Sequence, residues 1–385
     1  MALDPETFLQ LIDTIRRFVE KRLIPLEAEV SEKDEIPVSV VDDMRELGLF
    51  GLATPEEYGG LGLNLEEEVQ VIIELGHTIP AFRSVFGTNN GIGSQGIVMD
   101  GTPAQKQKYL PKMASGEIIG SFALTEPEAG SDAASVQTTA TLDGSEYILN
   151  GTKRFITNAP QANLFTVMAR TDKSKKGASG ISAFLVEAGI EGLSLGPRVK
   201  KMGQQGAHVC DVIFEDCRIP VDALIGGVEG QGFRTAMKVL DRGRITISGM
   251  CIGNAQRLIR DSLAYAMERR QFGRPIADFQ LVQAMLADCE TEVYAAKSMV
   301  LDTARRKDGG EDVTKLAAIC KYYASEMVGR VADSAVQIHG GAGYVADYGI
   351  ERFYRDVRLY RLYEGTSQIQ QLIIAREMMK EARAG

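Results

Sequence analysis

The sequence predicts an α+β fold in three parts: helices, then strands, then helices again. Three observations carry that expectation. Apolar residues recur with helical spacing over the first third, and near residue 121 the period shortens to that of strands. The glycine-rich GVEGQGF (227–233) then marks a return to helical spacing that lasts to the C-terminus.

Each element follows from its own residues. Asp4 and Pro5 read as a cap and a first helical residue, and Phe8, Leu11, Ile12, Ile15 and Val19 share one apolar face. Further helices surround 40–47, 66–75 and 105–113, separated by loops such as EEYGGLGLN. FTVMAR, ISAFLVE and VCDVIFEDCRIP are short, rich in β-branched and aromatic residues, and bounded by turn residues, so they read as strands. Helical stretches near 232–270, 278–308, 311–339 and 363–383 are long enough for a four-helix bundle.

Composition narrows the function. The 52 acidic and 43 basic side chains of the 385 residues leave a formal net charge of −9, which repels phosphate backbones and disfavours nucleic acid as a partner. With 44% hydrophobic and 25% charged residues the chain is ordinarily globular, and its length suggests two or three domains. No apolar run approaches the roughly 20 residues of a membrane span. MALDPETFLQ carries acids where a secretion signal carries basic residues. Five widely spaced cysteines without a C-x-x-C pair argue against a disulfide framework or zinc site and suit the reducing cytoplasm. The three histidines lie outside metal-ligand spacing of one another.

Several motifs admit a chemical reading beside a plain structural one. Gly91 to Gly96 matches G-x-G-x-x-G, with Glu117 beyond it, but FRSVFGTNN precedes it where a dinucleotide site requires a buried strand. A helix or turn with space for close approach is the alternative. FALTEPEAGSD (122–132) and NGTKRFITN (150–158) set the hydroxyls of Thr125, Ser131 and Thr157 among aromatic residues, a surface suited to a flat heteroaromatic ring or to edge strands with turn chemistry. In LYRLYEGTSQIQQLIIARE, Glu364 precedes a Gly-Thr-Ser helix start. It reads either as an acid favoured by the helix dipole or as a carboxylate raised toward a base's working range. The arginine pair of ERRQFG and the Gly-Gly of QIHGGAGY suit a pyrophosphate. The arginines at 352, 355, 358 and 361 read as a salt-bridged face.

In this order and at these separations, LTEPEAGSD, ERRQFG, QIHGGAGY and YEGTSQIQ resemble the acyl-CoA dehydrogenase family over nearly the whole chain. The resemblance implies an N-terminal α-helical domain (1–120), a middle β-barrel (121–230) and a C-terminal four-helix bundle (231–385). It further implies non-covalent FAD, an acyl-CoA substrate and electron-transferring flavoprotein as acceptor, in a cytoplasmic homotetramer built as a dimer of dimers. Phe122, Leu124, Thr125, Ser131, Phe155 and Thr157 would then line the flavin ring. Arg269, Phe272, Gln280, Gln337, Gly340 and Gly341 would hold the adenosine diphosphate part, some of them from a neighbouring subunit, and Thr366 and Gln368 would complete the flavin site. Ser131, Asp241, Arg244, Tyr363 and Gly365 would contact the acyl-CoA.

The family likeness gives Glu364 the role of the base that takes the α-proton while a hydride leaves the β-carbon. Some branches carry the base in the first bundle helix, but that position corresponds here to Gly243. Two departures stand out: Phe155 replaces a tryptophan common in the family, and Arg83 resembles the arginine with which the glutaryl-CoA branch grips a distal carboxylate. A short or dicarboxylic acyl group is therefore the favoured substrate. Pairing with a nearby acid or an exposed position is the plain alternative for Arg83. A non-redox lyase or desulfinase on the same scaffold and an inert flavin-binding protein are the rival functions, and the retained Glu364 counts against both.

Overall fold

Asp4 caps the first helix as expected, its Oδ1 accepting from the amides of Glu6 (3.1 Å) and Thr7 (3.0 Å). A computed structural model of the chain describes residues 3–175 and 177–384. Seven helices come first: α1 (Pro5–Phe18), α2 (Glu27–Lys33), α3 (Val38–Glu46), α4 (Leu65–Leu75), α5 (Pro80–Asn90), α6 (Gln95–Asp100) and α7 (Pro103–Ala114). Ile15 and Val19 are buried, with Phe8, Leu11 and Ile12 packed against the same core. Capping boxes start α4 (Asn64 with Glu67) and α7 (Thr102 with Gln105), each satisfying two helix-end amides reciprocally.

The middle strands are β1 (Gly120–Ala123), β2 (Thr139–Asp143), β3 (Glu146–Thr157), β4 (Leu164–Arg170), β5 (Ile181–Glu187), β6 (Leu193–Leu195) and β7 (Val209–Pro220). They form one mixed sheet in the order β1-β4-β2-β3-β7-β6, with β5 branching off this path as an antiparallel partner of β4. β1 runs parallel to β4 (Gly120 opposite Leu164), whereas β3 and β7 form the long antiparallel pair (Glu146 opposite Pro220). The sheet curls because Leu149, Phe165, Phe184 and Phe214, from four strands, meet in one apolar cluster. Leu164 and Met168 of β4, and Ile181 and Leu185 of β5, face the other way into a second cluster with Leu110 and Ala236. Both strands are thus buried on both faces, which is why they read as continuous apolar runs.

Gly232–Glu268 forms α8, followed by the two-residue strands β8 (Arg270–Gln271) and β9 (Arg274–Pro275), α9 (Gln280–Asp308) and α10 (Thr314–His339). The short α11 (Gly341–Tyr344) and α12 (Ile350–Val357) lead to α13 (Ser367–Ala384). The last helix begins four residues later than the periodicity suggests, since Glu364 and Gly365 take left-handed conformations that no α-helix admits. The G-x-G-x-x-G stretch is the helix and turn of the plainer reading: α5, not a strand, leads into Gly91, and Glu117 pairs with Lys112 at the surface. No helix among the described residues is long and apolar enough to cross a membrane, and no metal-binding cluster stands among them. All five cysteines are free and buried.

The helical parts are joined through Asn254 on α8. Its Nδ2 donates to the carbonyls of Gly76 (2.7 Å) and Thr78 (3.0 Å), and its Oδ1 accepts from the Tyr360 hydroxyl (2.7 Å). Asn254 and Tyr360 are fully buried, so Asn254→Leu would strand three polar groups away from water. At about 1 kcal/mol or more for each, the loss should reach ~3 kcal/mol, near 4 °C in melting temperature for a chain of this size. Tyr360→Phe, which removes one bond, should lose about a third of that. Differential scanning calorimetry of the two variants beside the parent checks the ratio, and equal melting points would exclude the network as a joint.

Candidate active site

Glu364 occupies a corner between the turn Arg358–Arg361 and α13. Its φ is 53° and that of Gly365 is 87°. For a residue bearing a side chain this conformation costs roughly 1–2 kcal/mol, so the surroundings must hold it. Gln370 Nε2 donates to the carbonyls of Glu364 (3.1 Å) and Gly365 (3.0 Å), and Lys321 Nζ donates to the Gly365 carbonyl (2.7 Å). Thr366 Oγ1 accepts from the Ile369 amide (3.2 Å), capping α13. Glu326 of α10 receives Ser367 Oγ (2.6 Å) and Arg361 Nη1 (3.3 Å), pinning both sides of the corner.

The corner turns the Glu364 carboxylate onto α8 at Gly243, where a Cβ would lie 2.6 Å from Oε2. Glycine serves here through its missing side chain, not through backbone freedom. Glu364 Oε2, Arg83 Nε and Arg244 Nε are shielded from solvent and have no hydrogen-bond partner among the described residues. Burial lifts the Glu364 pKa above the ordinary carboxylate value, opposed by the positive charges of Arg83, Lys321 and Arg244. Burial also raises Asp241, despite its 2.6 Å ion pair with Arg244.

A cavity of about 700 Å³ opens before this carboxylate. It gathers twelve of the residues singled out by sequence: Arg83, Phe122, Leu124, Thr125, Ser131, Phe155, Thr157, Asp241, Arg244, Tyr363, Glu364 and Gly365. The others lie elsewhere. Arg269, Gly340 and Gly341 line a second cavity of about 510 Å³, with Tyr265 and His339, whose rings stack 4.4 Å apart. Phe272, between β8 and β9, is 92% exposed, while Gln280 starts α9 and Gln337 lies on the surface of α10. Thr366 is occupied as a cap, and Gln368 is exposed on the first turn of α13.

Local irregularity positions the aromatic wall. The β3–β7 register slips between Lys153 and Ile156, and Phe155 takes a φ of 58° in the slip. Its ring is thereby 58% exposed, under the Arg154 guanidinium at 5.6 Å. Two residues before Phe155 in β3, Lys153 belongs to a pair that sequence reasoning passed over. Lys153 Nζ, fully buried, donates to Glu126 Oε1 (2.6 Å) and the Leu124 carbonyl (3.2 Å). Glu126 also accepts from the amides of Gln137 (2.6 Å) and Thr138 (3.0 Å). Burial works to raise the Glu126 carboxyl, but Lys153 and these amides hold it below the ordinary range. Burial likewise pulls Lys153 down to about 8. The acid of one motif and the base of the other, unmatched in apolar surroundings, were the available signal. Lys321 and Gln370 gave none, because periodicity makes each an ordinary helix residue.

Comparison with known proteins adds an independent observation. Residues 5–117 match the family model described as acyl-CoA dehydrogenase, N-terminal domain; 121–217 match the middle domain and 230–379 the C-terminal domain. Over 367 residues the chain is 44% identical to acryloyl-CoA reductase (NADH) of Anaerotignum propionicum, an alignment covering 95% of this chain and 92% of that protein. It is 41% identical, again over 367 residues, to CarC, a subunit of the caffeyl-CoA reductase-Etf complex of Acetobacterium woodii, covering 95% and 96% of the two chains. The solved structure of butyryl-CoA dehydrogenase from Megasphaera elsdenii superposes with a TM-score of 0.94 at 34% identity, covering 98% of this chain and 99% of that one.

The seat of Glu364 is testable by itself. Glycine to alanine within a helix ordinarily stabilises by about 0.5–1 kcal/mol. Gly243→Ala should instead lower the melting temperature and displace the Glu364 carboxylate, because the new methyl occupies its place. A crystal structure of the variant with the carboxylate unmoved and the melting point raised would contradict this geometry.

Proposed function

The chain belongs to the acyl-CoA dehydrogenase family, and from that premise and the geometry around Glu364 we propose how its residues divide the work. It is a flavin oxidoreductase acting on the Cα–Cβ bond of an acyl-CoA thioester, with FAD as cofactor. The observation that carries the residue assignment is Glu364 Oε2, an unpartnered carboxylate oxygen at the wall of the 700 Å³ cavity.

A thioester α-proton is weakly acidic, so its transfer needs a base held in place and kept from water. Glu364 fills that role: the corner fixes its direction, Gly243 leaves it room, and burial brings its pKa toward working pH. Bound FAD supplies the hydride acceptor for the β-carbon. The cavity wall fits such a ring, since Phe122, Leu124 and Phe155 offer apolar surface and Thr125 and Thr157 offer hydroxyls. Ser131, Asp241, Arg244, Tyr363 and Gly365 take the acyl-CoA side of the same cavity.

Arg269, Gly340 and Gly341 suit a pyrophosphate and hold the adenosine diphosphate part, joined by Phe272, Gln280 and Gln337, with part of this set serving a neighbouring copy. Thr366 and Gln368 complete the flavin site of the assembly. The exposure of Phe272, Leu281, Tyr294 and Tyr344, large side chains left uncovered in the C-terminal part, supports a homotetramer as the working form. Electron-transferring flavoprotein is the proposed electron partner, supported by the Etf in the name of the Acetobacterium woodii relative. The five free cysteines support a reducing, cytoplasmic setting.

Both relatives described above carry reductase names, and this favours a second reading of direction: the chain delivers hydride and proton to a 2-enoyl-CoA. The same residues serve either way, because Glu364 returns the α-proton it would otherwise take. Arg83 bears on substrate choice. It lines the cavity beside Tyr363 with its Nε unpartnered, which supports a short acyl group ending in a carboxylate.

Glu364→Gln keeps the shape and removes the proton acceptor. Flavin bleaching by acyl-CoA, and reoxidation of the reduced enzyme by enoyl-CoA, should both slow by at least ~10²-fold at unchanged FAD content. Near-normal rates in either direction remove Glu364 from the role. Arg83→Lys keeps the charge but loses the planar fork. Turnover of glutaryl-CoA should then fall by ~2–5 kcal/mol of interaction, tens- to thousands-fold, while butyryl-CoA is little affected. A common decline for both esters would mean that Arg83 acts on packing or on Glu364 and not on a distal acid.

A further inference from the structure

Lys321 lies under the Glu364 corner without a carboxylate of its own. It is 0% exposed, and the Gly365 carbonyl at 2.7 Å is its one hydrogen-bond acceptor among the described residues. A buried ammonium without a paired anion is among the costliest groups a core can hold, so a role in fixing α10 alone does not account for it. A leucine or methionine would pack there at less cost.

The charged and titratable groups around it leave one anion uncommitted. From α8 it faces Arg244 and Cys251, from its own helix Glu326, and from the corner Glu364. Arg244 is paired with Asp241 at 2.6 Å, and Glu326 is shared between Arg361 and Ser367. Cys251 is fully buried, and burial drives its pKa upward, so it stays a neutral thiol. From α5, Arg83 faces Glu364 and adds a second positive charge. Glu364 therefore remains as the anion for Lys321, one residue before the carbonyl that Lys321 grips.

We propose that Lys321 is a positioning residue for Glu364, holding the left-handed corner through the Gly365 carbonyl and adding a buried positive charge to the surroundings of the carboxylate. The proposal rests on the reading of Glu364 as the base. Two consequences separate its halves. Losing the bond frees the corner, which lowers the rate at every pH. Losing the charge makes ionised Glu364 harder to maintain, so the acid limb of the rate profile moves to higher pH. The direction follows from the charge: a cation favours the carboxylate, and its removal favours the protonated acid, which is inactive as a base.

Lys321→Met removes bond and charge at similar length, whereas Lys321→Gln keeps an N–H donor without the charge. Single-turnover flavin bleaching from pH 5.5 to 9 would be read for both variants and for Glu364→Gln. Alongside it, the infrared carbonyl band of protonated Glu364, identified by its absence in Glu364→Gln, would be titrated in the enzyme without substrate. Both lysine variants should shift the acid limb and the infrared titration upward by about one unit, a tenfold loss of rate below that limb. Lys321→Met should be slower than Lys321→Gln at high pH. If Lys321→Met does not fold, the shift in Lys321→Gln decides the charge half. Variants whose melting temperature falls while acid limb and infrared titration stay at the parent's values would overturn the proposal, leaving Lys321 a packing residue. An active Glu364→Gln would instead overturn the reading of the base, a result distinct from the first.

Discussion

One helix sets the terms for the rest of the molecule. α8 runs 37 residues, about 55 Å at 1.5 Å per residue, and its neighbours surround it on all sides from Gly243 to Ala255. Its first turns pack on β5 and the second apolar cluster through Ala236, and its middle packs on α4, α9 and α10. A helix enclosed so completely must be apolar around its circumference or have every polar side chain answered. This one mostly follows the second course, with Arg242 Nε, Arg244 Nε and Ser262 Oγ left unpartnered among the described residues. Asn254 joins three segments, Arg257 reaches Glu27, Asp261 and the His77 carbonyl, and Arg242 pairs with Glu68. Polar groups that would be a liability in an isolated helix become the joints between the N-terminal helices and the bundle.

The same enclosure explains where the Glu364 carboxylate sits. A base on α8 itself would be fixed by the helix but would point wherever its position in the turn dictated. Placing it on a separate corner, and leaving Gly243 without a side chain to receive it, lets two elements define one atom's position. The corner is strained, and the strain is held by Gln370 and Lys321 from one side and by the Thr366 cap from the other. Interior packing density makes such an arrangement stiff: a carboxylate lodged against helix backbone has few alternative rotamers.

Much of this was legible in the sequence, and what was not has physical reasons. Cap residues, the period change near residue 121 and the doubly buried β4 and β5 runs were readable, because local chemistry and burial act directly on composition. The arginine stripe is a paired face as expected for Arg355 with Glu351 (2.7 Å) and Arg361 with Glu326 (3.3 Å), but Arg358 Nη1 is buried and unpartnered among the described residues. Glu364 was conspicuous through its motif; the geometry that seats its carboxylate was hidden. The left-handed turn, the missing Cβ at Gly243 and the amine of Lys321 lie 121 and 43 positions away in sequence or in backbone torsion, and neither periodicity nor composition encodes such coincidences. The residues singled out by motif fall around two cavities, a division whose geometry sequence order does not show.

The cations around Glu364 bear on the role proposed for its carboxylate. A base must be ionised before it accepts a proton, yet a dry pocket favours the neutral acid, so positive charge is needed nearby. Too tight a pairing would be as harmful as none, since a carboxylate locked in a salt bridge is a poor proton acceptor. The structure resolves the conflict by distributing charge without contact. Arg244 faces Glu364 but is committed to Asp241, Lys321 bonds the neighbouring carbonyl, and Oε2 itself is left without a partner. The carboxylate thus has positive charge in its surroundings and an oxygen left without a partner. Of the three cations, Arg244 and Lys321 hold a primary partner elsewhere and Arg83 leaves its Nε unpartnered, so none spends its bond on the carboxylate.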